Sequence, residues 1–347
     1  MRPHFAPGVV AALVAAMLFG ASPPISKWLL QTASPWMLAG LLYLGSGMGL
    51  GLYRLATHAQ PVVLQRKEMG WFAAAILSGG VIGPVLLMYG LTGMPASGAA
   101  LLLNAEGVLT ALLAWMVFKE NFDRRIVLGM LAIAGGAVIL SWPGEARFAG
   151  AWPALSILGA CLCWAIDNNL TRKVALADAT WIAALKGSVA GSVNLALGLL
   201  LGAEIPGPGP VLAALVVGLL AYGISLVLFV IGMRHLGTAR AGAYFSVAPF
   251  FGAILAITAG EPVTLPLLLA GALMALGIWL HLTERHEHAH AHEAMEHSHE
   301  HIHDEHHQHL HDALVPPGTK HTHWHRHEPM VHTHAHFPDA HHQHHGH

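Results

Sequence analysis

Four ionisable side chains fall inside long apolar runs: Lys27, Glu106, Asp167 and Lys186. A charge at the bilayer centre costs about 2.5 to 3.5 kcal/mol on insertion scales, so each needs a partner or a task. Glu106 sits in the middle of LLLNAEGVLTALLAW with Asn104 two residues before it, and no lysine falls at its level. A carboxyl group there either rests as a neutral acid bonded to Asn104 or a nearby carbonyl, or binds the cationic group of a small molecule, a metal ion or an exchangeable proton. Asp167 and Lys186 stand at equal depths on either side of a short loop, which predicts an ion pair across a helical hairpin, although Lys186 is also near enough to the edge to snorkel. Lys27, near the outer end of its run, is expected to snorkel. Asn168 and Asn169 follow Asp167 and extend a polar patch inside an otherwise apolar stretch.

The elements that position these groups are membrane helices. Hydrophobic residues make up 54% of the 347, against 10% charged, where a soluble domain carries about 25% charged. The apolar residues come in runs of about 20, the length that crosses ~30 Å of hydrocarbon. Ten runs are expected, at roughly 7 to 30, 36 to 56, 69 to 91, 95 to 118, 125 to 142, 150 to 171, 181 to 202, 211 to 233, 238 to 260 and 264 to 282. Basic residues alternate between the connections: Arg66 and Lys67, then Lys119, Arg124 and Arg125, then Arg172 and Lys173, then Arg234 and Arg240 all follow even-numbered runs, and Arg147 is the clear exception. The positive-inside rule places these loops, both termini and the tail in the cytoplasm, in an inner (plasma) membrane. Cys161 and Cys163, two residues apart on one helix, point to different sides and read as packing residues. No catalytic constellation emerges, so an enzyme is not expected, and nothing points to nucleic acid.

The chain repeats itself. MLFGASPPISKWLL lies over LCWAIDNNLTRKVA at an offset of 145, which sets Ser22 opposite Asp167, and Leu103 through Glu120 lies over Tyr244 through Glu261 at an offset of 141. Two five-helix halves follow, residues 1 to 145 and 146 to 284, and an odd number of helices per half inverts one against the other. Polar segments at Ser22 and at Asp167, Asn168 and Asn169 are of the kind that opens backbone groups to a central cavity. Glu120 and Glu261 recur at span ends, each just before another helix, where an acid favours the N-terminus that follows.

With Ala96, Ser97, Gly98 and Ala99, Glu120, Gly129, Gly135 and Gly136 in the first half, and Ala241, Gly242, Pro249, Glu261, Gly271 and Gly277 in the second, the chain resembles the EamA branch of the drug/metabolite transporter superfamily over residues 7 to 283. The resemblance implies an all-α bundle of ten transmembrane helices around a cavity lined by the third, fourth, eighth and ninth spans. It leaves the substrate open. In one place the chain departs from the pattern: Val247, Ala248 and Pro249 of the second half correspond to Glu106, Gly107 and Val108, so the first half lacks the proline.

A second chemistry lies beyond Glu284. Of 28 histidines, His4, His58, His235 and His281 lie earlier, leaving 24 between His286 and His347. The segment HEAMEHSHEHIHDEHHQH recurs as HEPMVHTHAHFPDAHHQH with 11 of 18 positions identical, 35 residues on. The low-complexity composition predicts a tail without a packed core or regular structure, residues 285 to 347. Neutral imidazole suits zinc, nickel, cobalt and copper. The candidate ligands are His297, His299, His301, His306, His307 and His309 in the first copy and His332, His334, His336, His341, His342 and His344 in the second. No cofactor is required. The expected function is secondary transport of a small metabolite, amino-acid-like or drug-like, with proton coupling through Glu106. The alternative is a transition-metal transporter whose tail senses or delivers the ion. The partners in either case are the lipid bilayer and the small molecule or ion carried, and oligomeric state is not legible.

Overall fold

The computed structural model describes residues 7–60, 62, 66–118, 124–142, 151–171, 178–236, 238–282, 287–292, 295–301, 321–327 and 330–335. They form two units, residues 1–284 and 285–347.

The first unit is helical. In chain order it contains α1 (Pro7–Gly20), α2 (Ser22–Leu29), α3 (Pro35–Ala56), α4 (Arg66–Ala75), α5 (Gly83–Gly93), α6 (Ala96–Leu102), α7 (Ala105–Phe118), α8 (Arg124–Ser141), α9 (Trp152–Thr171), α10 (Ala179–Leu200), α11 (Pro208–Gly218), α12 (Ser225–Leu236), α13 (Thr238–Phe245), α14 (Ala248–Thr258) and α15 (Leu265–Leu282). Local chemistry fixes several starts. Ser34 caps α3 through Met37 N–H with Pro35 in the first turn, and Asp178 caps α10 by accepting from Thr180 and Trp181. Partial burial pushes the Asp178 carboxyl up, but these bonds and the Arg54 guanidinium, 2.9 Å away, outweigh it and hold the group below the usual range.

Six helical segments are long and apolar enough to cross a membrane: Pro7–Leu29, Pro35–Ala56, Glu68–Gly93, Ala96–Leu113, Thr180–Leu200 and Pro208–Gly232. Shorter apolar helices lie at Val127–Ser141, Ala248–Thr258 and Leu265–Leu280. The unit is a polytopic helical membrane protein. Large apolar side chains such as Leu131, Leu200 and Leu212 face outward, as a lipid solvent allows. Inside, α3 packs along α10, α1 along α12, α5 along α9 and α8 along α15. Lipid offers no hydrophobic drive for helix association, so contact rests on close van der Waals approach between small residues. At Gly187, an added Cβ would stand 2.7 Å from Gly47 N and 2.8 Å from Tyr43 O, which is why α10 can lie directly against the α3 backbone.

Several expected spans are not uniform helices. The run at 69 to 91 is interrupted by a π-helical turn, Ile76–Ile82, and the run at 211 to 233 by another, Leu219–Ile224. The run at 95 to 118 breaks between α6 and α7, and that at 238 to 260 between α13 and α14. At the offset of 141 the two breaks fall two residues apart. Pro249 occupies the first turn of α14, whereas the first-half break forms without proline and leaves Glu106 in the first turn of α7.

The second unit contains four short strands among its described residues. Strand β1 (Glu287–His292) pairs antiparallel with β4 (Met330–Ala335), and β2 (Met295–His301) with β3 (His321–His327). The physical reason is periodicity: His-x-His-x-His alternates with period 2, the strand pattern, and composition alone hides it.

Candidate functional site

The π turn in the third run explains how the site is built. Gly83 N–H bonds back to Ser78 O, five residues earlier, instead of to Gly79 O. The next donor along would be residue 84, a proline with no N–H. Gly79 O is thereby left without a helical partner, and a buried carbonyl must find one elsewhere. It accepts from Tyr43 Oη at 2.8 Å and from Trp164 Nε1 at 2.9 Å. Gly80 O, whose regular partner would be the same proline, accepts from Asn194 Nδ2 at 3.2 Å. One irregular turn therefore ties α3, α9 and α10 together.

Asp167 lies beside this turn. A Cβ on Gly79 would overlap its carboxylate, so only glycine admits it. Asp167 forms a salt bridge with Lys186, with side chains 5% and 19% exposed, and accepts from Thr171 Oγ1 at 3.0 Å. The ion pair expected across the α9–α10 hairpin is thus present. Around it lies an aromatic wall: the Tyr43 and Tyr222 rings are 5.6 Å apart, and Tyr222 Oη is 2.8 Å from Ser22 Oγ. Phe19 meets Tyr222 edge-on at 5.8 Å. Three polar pairs, Ser22–Tyr222, Tyr43–Gly79 O and Asp167–Lys186, lie next to one another, the first two joined by the Tyr222–Tyr43 ring contact and the last two by the packing of Gly79 against Asp167.

Glu106 is reached by the residue next to Asp167. Asn168 Nδ2 donates to Glu106 Oε1 at 2.9 Å, and the same group lies 3.4 Å from Thr110 Oγ1. Asn169 Nδ2 donates to Thr110 O at 3.2 Å and to Ala165 O at 2.9 Å. The bond therefore joins α7 to α9. Glu106 is half-buried and Asn168 exposed. Asn104 turns the other way, donating to Leu101 O at 2.9 Å and approaching Met274 Sδ at 3.7 Å. It closes the break between α6 and α7 and makes no bond to Glu106.

The remaining residues singled out by sequence have structural partners. Lys27 Nζ donates to Leu91 O and Met94 O, at 2.9 and 2.6 Å, and so caps the end of α5 instead of snorkelling to a membrane surface. Glu261 does not serve the helix that follows it. Its carboxylate accepts from Ala96 N at 2.7 Å and Ser97 N at 2.8 Å, the first turn of α6. Partial burial pushes this carboxyl up, but Ser97, the Ala96 N–H and the charge of Lys27 outweigh burial and hold it below the usual range. Glu120 lies outside the described residues, as do His306, His307, His309, His336, His341, His342 and His344. His297, His299, His301, His332 and His334 occupy strand positions. Among the described residues no group of three or more metal-ligating side chains comes together.

Tyr43, Tyr222, Trp164, Thr171 and the Gly79 carbonyl belong to the site and were not singled out beforehand. Tyrosine in an apolar run reads as span filler. The signal that could have found the turn is Ser78-Gly79-Gly80 followed by Gly83-Pro84, in which proline withholds a donor from the glycine carbonyls.

Comparison with known proteins accords with this architecture. Residues 6–142 and again 151–283 match the EamA-like transporter family. A relative named as an uncharacterized transporter, from Methanothermobacter thermautotrophicus strain Delta H, is 28% identical over 292 residues, covering 79% of this chain and 85% of the relative. A protein of known crystal structure superposes with a TM-score of 0.60 at 20% identity, covering 78% of this chain and 95% of that one, and so shares the fold. The chain belongs to the EamA-like transporter family and is a multi-pass membrane transporter of the drug/metabolite type.

Proposed function

We propose that the chain is a secondary transporter for a small, amino-acid-like or drug-like metabolite, that Glu106 and Asn168 contact the substrate or the coupling proton, and that Asp167 and Ser22 line the same path. In this reading the chain crosses the inner membrane ten times as two inverted five-helix halves, residues 1–145 and 146–284, with both termini cytoplasmic. The observation that carries it is the Glu106–Asn168 hydrogen bond. It joins a first-half helix to a second-half helix, and it lies at a helix break in the middle of an apolar run. A polar pair that remains accessible at such a depth is costly in hydrocarbon and is supported by water or substrate. Proton coupling follows from the same bond. The amide of Asn168 donates to a charged or neutral Glu106, so proton loading and release at Glu106 need not dismantle the pair.

The test uses cells that overproduce the chain, challenged with a panel of toxic amino-acid analogues and cationic drugs at pH 6, 7 and 8. The expected result is a change in sensitivity to a subset of compounds, altered by Glu106→Gln in size and in pH profile, and weakened by Asn168→Ala. Full activity of Glu106→Gln with an unchanged pH profile would remove Glu106 from coupling. Reporter fusions at Arg2 and Arg285 check the topology: external activity at either would overturn the ten-span reading.

A further inference from the structure

The two broken runs meet at one end only. In the run at 95 to 118 α6 comes first, in that at 238 to 260 α14 comes last, and these two helices pack along each other. Ala100 lies against Gly252, where an added Cβ would stand 2.9 Å from the alanine Cβ and 2.5 Å from Gly20 O. Beyond the end of α14, Glu261 reaches the start of α6 at Ala96 and Ser97. The runs are therefore antiparallel, and α7 and α13 occupy the opposite end. Among the described residues, those two helices do not pack along each other.

Burial follows the same division. All seven residues of α6 are buried. Among the described side chains of α7, only Ala105 and Val108 are. A Cβ on Gly107 in α7, or on Gly242 in α13, would meet nothing within 4 Å. Tyr244 of α13 is exposed, as is Asn168 where it bonds Glu106 in the first turn of α7. A carboxyl and an amide exposed at such a depth need water beside them, not hydrocarbon.

At the closed end, polar contacts gather on one turn. The segment between α5 and α6 is held on one side by Lys27, which donates to Leu91 O and Met94 O, and on the other by Glu261. The seam between α6 and α14 is close-packed but short, so the two charge-assisted bonds of Glu261 are a large share of what holds it.

We propose that Glu261 locks one of two alternately opening ends. The structure is closed between α6 and α14 and open between α7 and α13, and release of Glu261 from Ala96 and Ser97 lets α6 part from α14. The Glu106–Asn168 pair is then reached from the opposite side, as a midplane site must be if it is to face each side in turn. The proposal rests on the reading of that pair as the transport site. Lys27 is a positioning residue, which keeps the turn before α6 where Glu261 can bond it.

The experiment uses the full chain in sealed membrane vesicles of both orientations, with Cys161→Ala and Cys163→Ala removing the two native thiols, and a charged, membrane-impermeant maleimide as the probe. Gly107→Cys and Gly242→Cys should react from one side of the membrane, the same for both. Ala100→Cys and Ala256→Cys, at positions 0% and 1% exposed, should react slowly from either. Adding Glu261→Gln should raise the rates at Ala100→Cys and Ala256→Cys about fivefold, from the side opposite to that which labels Gly107→Cys. Lys27→Met should act in the same direction. A cap that merely frays exposes the first turn of α6 and no more. If Glu261→Gln speeds labelling of Ser97→Cys but leaves Ala256→Cys protected, or exposes Ala256→Cys from the same side as Gly107→Cys, the lock is overturned. Reaction of Gly107→Cys and Gly242→Cys from opposite sides, or of neither, overturns the open gap. No transported compound enters this experiment, so its failure leaves the substrate reading standing, and a compound panel without effect leaves the lock standing.

Discussion

Removing the Glu261 carboxylate tests how the loop before α15 is held to the first turn of α6. Ala96 and Ser97 are each 2% exposed, so their N–H groups have little access to water, and Glu261 accepts from both, at 2.7 and 2.8 Å. A hydrogen bond to a charged group contributes about 1.5 to 3 kcal/mol, and an unmade buried donor costs about 1 to 3 kcal/mol. Glu261 itself is only half-buried, so solvent screening places the total near the low end: about 2 kcal/mol for Glu261→Ala and about 1 kcal/mol for Glu261→Gln, which keeps an acceptor. At about 2 °C per kcal/mol for a unit of this size, thermal unfolding in detergent should fall by about 4 °C and about 2 °C. The pH dependence is specific. A carboxyl held below its ordinary range in the folded state contributes stability above its unfolded pKa, near 4.3, and loses it as pH falls through the lower folded value. The gap between the native protein and Glu261→Gln should therefore be constant from pH 7 to pH 5.5 and close in stronger acid. No gap at pH 7, or a gap that widens on acidification, would refute the capping argument.

Three further outcomes follow from the buried cluster. Asp167→Asn leaves Lys186 as an unpaired, mostly buried cation and should cost about 3 to 5 kcal/mol, whereas Asp167→Asn combined with Lys186→Met should recover most of it in a double-mutant unfolding cycle. Gly79→Ala drives a methyl group into the Asp167 carboxylate, and its cost should shrink when Asp167 is also shortened to Ala, read in the same unfolding assay. Tyr222→Phe removes the only atom by which that ring bonds Ser22 and should cost about 1 kcal/mol, with Ser22→Ala adding little once Tyr222 is changed.

Helix positions were legible because apolar length and breaker residues are local signals. The expected run at 36 to 56 is α3 and that at 181 to 202 is α10, within two residues at each end. Glu106 was legible because a midspan carboxyl is expensive wherever it points, and the Asp167–Lys186 pair because equal spacing from one loop implies equal depth. Asn168 was singled out, but its bond to Glu106 crosses 62 residues and rests on how α7 meets α9, which no periodicity encodes. The target of Glu261 lies 165 residues away on the other half, and the local expectation chose the helix next in sequence. Tyr43 and Tyr222 gave no signal because their partners are a carbonyl released by a π turn and a serine two hundred residues distant. In the tail the histidines were counted for their chemistry, and the period of 2 that sets them on strands was passed over.

The two π turns carry a consequence for insertions and deletions. An α-helix advances about 100° per residue, so a turn that accommodates one extra residue keeps the parts on either side of it in a phase that a regular helix of the same length could not have. Deleting one residue within 76–82 would restore a regular helix with α5 left near its present phase, whereas straightening the turn with every residue kept would swing α5 by about 100° relative to α4. Side chains that now meet α9 and α3 would then face elsewhere. The same holds for 219–224 and α12. These segments are thus phase adjusters: loss of the extra residue is absorbed locally, while substitutions that straighten the turn at constant length re-index half a span at once.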